Sequence, residues 1–536
     1  MILAALPRLT LALMAVPVLA GLAGTLLPAL ANGAAGVLAL AHWPGLIRAS
    51  ALSLGTGLVS TALALLACLT ILAALYGTSG FTRIRRLLAP LLSVPHAAAA
   101  LGLAYLIAPS GWIARLLSPW ATGWTSPPDL LILNDPYGLS LTLGLVAKEL
   151  PFLLLMALSS LNSTDADRKL TLAATLGYGR VAGFVLTILP ALYRQMRLPV
   201  YAVIAYAMTS VDMAMILGPT LPPTLSQQVV LWRMVPDLTQ QTTAAAGAVL
   251  QLGLVITALV LWRGLERLLR AALILWAVSG HRAAMLDRPT RALASVTGFA
   301  LGSALFIGLA ALGLWSVAGD WRFPAALPES LSLSAWQIAL PDLAPATGLT
   351  VVIALAATLP ALVLVIGCLE AETRYDLAAT PRAMWLLYMP LLVPQVAFLP
   401  GLQTFALSIG LQGAWPAVAA SHLVFVLPYV FVSLGQPYRS LDPRLSITAR
   451  ALGATEARIF WTLRLPVLLA PVLTAFAIGL AVSIGQYLPT LLIGGGRVST
   501  LTTEAVALSS GGNRRIIGSF ALLQTLLPAV FFGLAI

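Results

Sequence analysis

The residues able to do chemistry in this chain are few, and they sit in apolar surroundings. Lys148 and Glu149 are adjacent in one apolar run, Asp212 lies in another, and Gln486 holds the matching place in a later one. Ionisable groups inside such runs are costly to keep, so each is a candidate for a solute or ion pathway. Neighbours on a helix point about 100° apart, so Lys148 and Glu149 need not pair with each other. His42, His96, His281 and His422 are scattered singly, none at helical ligand spacing from another, and no metal site is expected. His96 and His422 read first as polar contacts between helices. Cys68 and Cys368 each lie in an apolar stretch and read as small core residues, not as a disulfide. The two lysines are Lys148, after Ala147, and Lys169, after Arg168; neither completes a phosphate-binding loop. No nucleophile–base set stands out, and the chain reads as a non-enzyme.

These side chains must be positioned by membrane helices. Hydrophobic residues make up 60% of the 536 and charged ones 9%, against about 25% charged in a soluble domain. Apolar runs of about 20 residues recur from end to end, and in lipid such runs are helices. Twelve spans are expected, near 9–30, 51–76, 87–108, 139–160, 199–217, 243–262, 293–318, 345–368, 384–409, 415–436, 467–490 and 516–536. The first is read as a retained span, since its apolar run exceeds that of a signal peptide. With the N-terminus inside, 22 of the 30 basic residues but only half of the 18 acidic ones fall on the inner side. The positive-inside rule therefore sets a cytoplasmic N-terminus. The net charge of +12 is explained by topology, with no need for nucleic acid. Longer outer loops, near 109–138, 218–242 and 319–344, carry Trp112, Trp120, Trp124, Trp232 and Trp321, read as interfacial anchors in the bilayer.

A repeat sets the architecture. Residues 171–192, TLAATLGYGRVAGFVLTILPAL, recur at 447–468 as ITARALGATEARIFWTLRLPVL, an offset of 276. Ala173, Leu176, Gly177 and Pro190 match Ala449, Leu452, Gly453 and Pro466, between the fourth and fifth spans of each half. The fold class is all-α and polytopic: two homologous six-helix lobes, 1–262 and 293–536, joined by a basic linker at 263–292. In each loop a short amphipathic helix is expected. Ser163, Thr164 or Asp165 caps the first and Asp442 before Pro443 the second, and Gly177 and Gly453 stop them.

The pattern Ala-x-x-Leu-Gly, then Leu-Pro, resembles the EAA loop of binding-protein-dependent ABC importer permeases. The family's leading Glu-Ala-Ala is replaced here by Thr171-Leu172-Ala173 and Ile447-Thr448-Ala449. Ser483-Ile484-Gly485-Gln486-Tyr487 and Ile493-Gly494-Gly495-Gly496 look like the matching stretch of iron(III), thiamine and polyamine permeases. The resemblance implies a coupling helix in each loop, through Ala173, Leu176, Gly177, Tyr178 and Gly179 and through Ala449, Leu452, Gly453, Ala454 and Thr455. It implies as partners two ATP-binding cassette subunits, which carry the ATP and Mg, and a periplasmic solute-binding protein. The location implied is the bacterial inner membrane. In that family the region of Asp212 and Gln486 lines the translocation path. The alternative is a twelve-span transporter driven by an ion gradient, a fold that does not repeat such a loop.

Overall fold

A computed structural model describes every residue except 1, 32, 162–163, 378–379 and 536. Among the described residues, nine helices are long and apolar enough to cross a membrane: Leu3–Ala31, Leu46–Leu75, His96–Leu117, Leu139–Leu161, Leu238–Ser279, Ala284–Ser316, Ser334–Tyr375, Trp415–Arg439 and Arg514–Gly533. Three more spans are bent pairs. These are Arg180–Ala207 with Val211–Leu217 at 51°, Pro381–Leu392 with Gln395–Ser408 at 87°, and Glu456–Val467 with Leu469–Ile484 at 72°. The total is the expected twelve, in the expected order. The basic segment 263–292 is no separate loop: the sixth span continues as helix to Ser279, Gly280 ends it at φ 68°, and the next long helix starts at Asp287.

The two lobes exchange their first helices. Span 1 packs along Gln395–Ser408 of the second lobe, and span 7 along His96–Ile107 of the first. Both crossings are made by glycine. A Cβ on Gly24 would stand 2.9 Å from the Gly401 Cα, and one on Gly102 would stand 3.0 Å from the Gly308 carbonyl carbon. Helix association in lipid relies on such close packing, because burying apolar surface gains little there.

The repeat extends to single hydrogen bonds. A short helix follows each broken fifth span, Leu225–Met234 in one lobe and Leu501–Ser509 in the other. Ser53 Oγ accepts the Leu225 amide at 2.9 Å, and Thr350 Oγ1 accepts the Leu501 amide at 3.0 Å. Both hydroxyls come from the second span of their lobe and satisfy a helix N-terminus that lipid could not.

The segments expected to be outer loops correct one expectation. Trp232 is buried, with its ring 5.0 Å from that of Trp43. Trp321 is also buried, stacked 4.4 Å from Trp315. Trp112 donates to the Ala326 carbonyl at 3.1 Å. These three rings lock protein to protein. Trp120 is exposed and Trp124 half-buried, so these two alone of the five are free to anchor in lipid headgroups.

Candidate functional site

Four spans break toward a single chamber. In the first lobe the helix Ser79–Ser93 stops, Val94 is extended, and helix resumes at His96 after Pro95. In the second lobe the same occurs at Val393, Pro394 and Gln395. Proline lacks the amide that would continue the helix and pushes the residue before it to extended backbone. The fifth span of each lobe also breaks, after Ala207 and after Ile484, and resumes at Val211 and Leu488. The freed carbonyls find partners: Ser226 Oγ and Gln251 Nε2 each donate to the Met208 carbonyl at 3.0 Å, and Thr502 Oγ1 donates to that of Ile484. Non-helical backbone at membrane depth is tolerated where it lines a cavity, and all four breaks do so. The chamber measures about 170 Å³, room for roughly six waters. Phe152 and Tyr429, at matching positions of the two fourth spans, face each other across it with ring centroids 6.0 Å apart.

All four pathway candidates line this chamber: Lys148, Glu149, Asp212 and Gln486. The first three are buried. Lys148 Nζ donates to the carbonyls of Leu91 and Leu92 at 3.3 and 3.4 Å, filling acceptors left open where the helix ends. Asp212 Oδ1 accepts from Ser210 Oγ at 2.9 Å. Glu149 Oε1 has no hydrogen-bond partner; His96 Nε2 lies 3.7 Å away, beyond hydrogen-bond reach. His96 stacks on Tyr206, ring centroids 4.7 Å apart, and both line the chamber. His422 does not line it. Its ring nitrogens meet Ser483 and Thr490 hydroxyls, each at 2.9 Å, as a polar contact between helices. The register expected for the repeat shifts slightly. The break aligns Gln486 with Thr209, which leaves Asp212 inside the following helix.

The two loop helices, Ala166–Thr175 and Pro443–Ala451, end in the same way. Gly177 and Gly453 adopt φ 80° and 82°. The Tyr178 amide reaches back to the Ala173 carbonyl at 3.1 Å, and that of Gly177 to Ala174 at 3.0 Å. Ala454 and Gly453 repeat this on Ala449 and Arg450, at 3.0 and 2.9 Å. The repeated Ala-x-x-Leu-Gly is therefore a Schellman stop, with alanine as the acceptor and glycine at the left-handed position. It leaves Leu176 and Leu452 on the surface, 58% and 83% exposed.

The helix starts differ. Asp442 caps the second through the Arg444 amide at 2.9 Å, as expected. In the first, Asp165 stands at the cap position in left-handed backbone and makes no capping hydrogen bond, while Thr164 donates to the Leu161 carbonyl. Ser163 lies outside the described residues.

Beyond the glycine stops the lobes are fastened by different means. Thr455 caps its own following helix, accepting from the Arg458 amide. The first lobe has Gly179 there and borrows a cap: Asp287, beyond the turn that joins the lobes, accepts the amides of Arg180 and Val181 at 2.8 and 2.9 Å. The approach is close enough that a Cβ on Gly179 would stand 2.6 Å from the Ala284 Cα. In the second lobe buried Glu370 accepts from Arg374 and Arg464, each at 2.6 Å, and from the Tyr438 hydroxyl. Arg464 also reaches Glu456 at 3.6 Å, and Glu456 bonds Arg450 on the loop helix. That hydrogen bond raises the proton affinity of Arg450, already well above neutral pH. Neither Asp287 nor Glu370 was visible as a fastening in the sequence. The signal for Asp287 was the glycine at 179 where the other lobe has a self-capping threonine.

Two lobes of six spans, broken toward a shared chamber and each carrying a matched loop helix, make a membrane permease. The comparisons agree. Residues 351–536 match the family described as binding-protein-dependent transport system inner membrane component. The inner membrane ABC transporter permease protein YnjC of Escherichia coli strain K12 is 34% identical over 519 residues, 95% of this chain and 92% of that one. The spermidine/putrescine permease PotC of Haemophilus influenzae is 21% identical over 29% of this chain and 60% of its own length. The molybdenum permease ModB of that organism is 33% identical over 17% of this chain and 38% of its own. The chain belongs to the ABC transporter permeases of this family, as a multi-pass inner-membrane protein. That membership favours an ATP-binding cassette system over the gradient-driven alternative.

Proposed function

We propose that this chain is the translocating subunit of an ATP-driven importer, with the N-terminus and both loop helices on the cytoplasmic side. Lobes 1–262 and 293–536, joined by 263–292, form its two halves. Two ATP-binding cassette subunits dock on the loop helices and carry the ATP and Mg; this chain contributes no catalytic residue. A periplasmic binding protein delivers a small solute to the opposite face. ATP binding brings the two cassettes together, the loop helices carry that motion into the lobes, and the chamber opens outward; hydrolysis resets it. The observation that carries the reading is the pair of loop helices. Each is stopped by the same backbone bonds, and each leaves a leucine exposed that nothing in its own lobe covers. Ala173, Tyr178, Gly179, Ala449, Ala454 and Thr455 hold those helix ends in place.

The test is purification of the tagged chain from its native membrane with quantification of what accompanies it. Two cassette subunits per chain are expected, and Leu176→Asp and Leu452→Asp should each reduce that number. Charge in the apolar centre of an interface costs roughly 2 kcal/mol or more, about thirtyfold in affinity. A chain that purifies alone, or cassettes indifferent to both substitutions, would refute the docking.

The relatives named above serve polyamines in one case and molybdenum in another, so names alone do not select a solute. The chamber does.

A further inference from the structure

We propose that the chamber binds a small organic cation, held with its ammonium group between Glu149 and Asp212 and its carbon skeleton against the aromatic wall. The inference rests on the reading that this chamber lies on the translocation path.

Three observations carry it. First, the charges in the chamber do not cancel. Lys148, the one buried cation in its lining, is turned to the carbonyls of Leu91 and Leu92 and supplies no hydrogen bond to either carboxylate. Second, Glu149 is itself buried, and its Oε1 lacks any hydrogen-bond partner. With His96 Nε2 at 3.7 Å, beyond hydrogen-bond reach, that oxygen keeps an acceptor open to a donor in the chamber. An ammonium supplies such a donor together with a positive charge. Third, the wall suits a cation. Tyr206 and Tyr429 line the same space, and the faces of aromatic rings attract positive charge. Tyr206 also lies within electrostatic range of both carboxylates.

The opposite reading, an anion, has some support in the architecture. The helices beginning at His96 and Gln395 direct their N-termini toward the chamber, and such ends favour negative charge. Each is worth about half a unit charge, but every break sets a helix C-terminus (Ser93, Leu392, Ala207, Ile484) beside an N-terminus (His96, Gln395, Val211, Leu488) at the same space. The dipoles offset one another, which leaves the two carboxylates to decide.

The site is also lopsided. Lys148 and Glu149 have Phe425 and Val426 as counterparts in the second lobe. The charge therefore comes from the first lobe, with apolar wall from the second, and the solute is held off the pseudo-two-fold axis.

The test is thermal unfolding of the purified full chain in lipid nanodiscs with rising concentrations of ethylammonium, tetramethylammonium or 1,4-diaminobutane. Sodium chloride at equal ionic strength, acetate and glucose serve as comparisons. A ligand that binds only the folded form raises the midpoint. At least one ammonium should raise it by several degrees beyond sodium chloride. Glu149→Gln and Asp212→Asn should each weaken that response at least about tenfold in apparent affinity, the scale for removing a buried charge partner. Asp212→Glu should keep it. A response to acetate or glucose alone, no ammonium response beyond salt, or a response unchanged in both neutral variants would overturn the proposal. The panel on the unmodified chain decides by itself if a variant fails to fold. The assay needs neither ATP nor cassettes, so its failure leaves the docking reading standing, and failure of docking leaves the chamber result intact.

Discussion

Gly401→Leu should abolish recovery of folded protein. Residue 401 lies where span 1 crosses the second lobe, and a Cβ there would stand 2.8 Å from both the Gly24 carbonyl carbon and the Thr25 amide nitrogen. The obstruction is backbone on both sides, so no rotamer change relieves it. The crossing also carries a bond from the Gly401 amide to Thr25 Oγ1 at 3.0 Å, and Thr25 Oγ1 bonds back to the Gly21 carbonyl at 3.1 Å. Overpacking a core commonly costs about 1–3 kcal/mol where side chains can yield; here a whole helix must move. Size-exclusion chromatography of a fluorescent fusion reads the outcome. Gly253→Leu is the control, since a Cβ on Gly253 meets nothing within 4 Å, and it should leave the monodisperse peak unchanged. A normal peak from Gly401→Leu would contradict the exchange of first helices between lobes.

Glu370→Ala should lower the unfolding midpoint by about 3–5 °C. Glu370 is 3% exposed and Arg464 2% exposed, and the substitution leaves that guanidinium buried without its carboxylate. Breaking such a pair from one side costs roughly 3–5 kcal/mol, and at this chain length the large unfolding entropy makes each kcal/mol worth about 1 °C. The damage should be local in kind. Arg464 joins the loop helix region to the eighth span, so protease sites among Arg444, Arg450 and Arg458 should open before the rest of the chain. Removing both charges, as Glu370→Leu with Arg464→Met, should restore most of the midpoint, because apolar replacements of a buried pair are often neutral. A midpoint unchanged in Glu370→Ala would mean that the network contributes nothing to fastening the loop.

Much of this was legible in the sequence because each signal was local. Run length gave twelve spans, and a residue-by-residue match gave the repeat. Gly177 and Gly453 were read as helix stops because left-handed backbone selects glycine. Lys148, Glu149, Asp212 and Gln486 were singled out by polarity alone, and all four line one chamber. The failures were non-local. Glycine is frequent, with 43 in the chain, and nothing in sequence distinguishes Gly24 and Gly401, which touch, from Gly253, where a Cβ would meet nothing within 4 Å. The span expected at 87–108 was drawn through Pro95, although Val-Pro recurs at 393–394 and so marked a paired break. Trp232 was assigned to lipid because the short helix that buries it is too brief to announce itself by periodicity. The ion network around Glu370 brings together residues from position 370 to 464, which no window could join.

In the proposed cycle, ATP hydrolysis on the cassette subunits drives solute through this chamber. The most direct measurement is solute accumulation by proteoliposomes containing the chain, its cassette subunits and its binding protein, with ATP supplied on the cassette side. Accumulation should require ATP, persist when a protonophore collapses the proton gradient, and fall at least about tenfold in the double variant Leu176→Asp, Leu452→Asp. Accumulation without ATP, lost on adding the protonophore and indifferent to the two leucines, would contradict it.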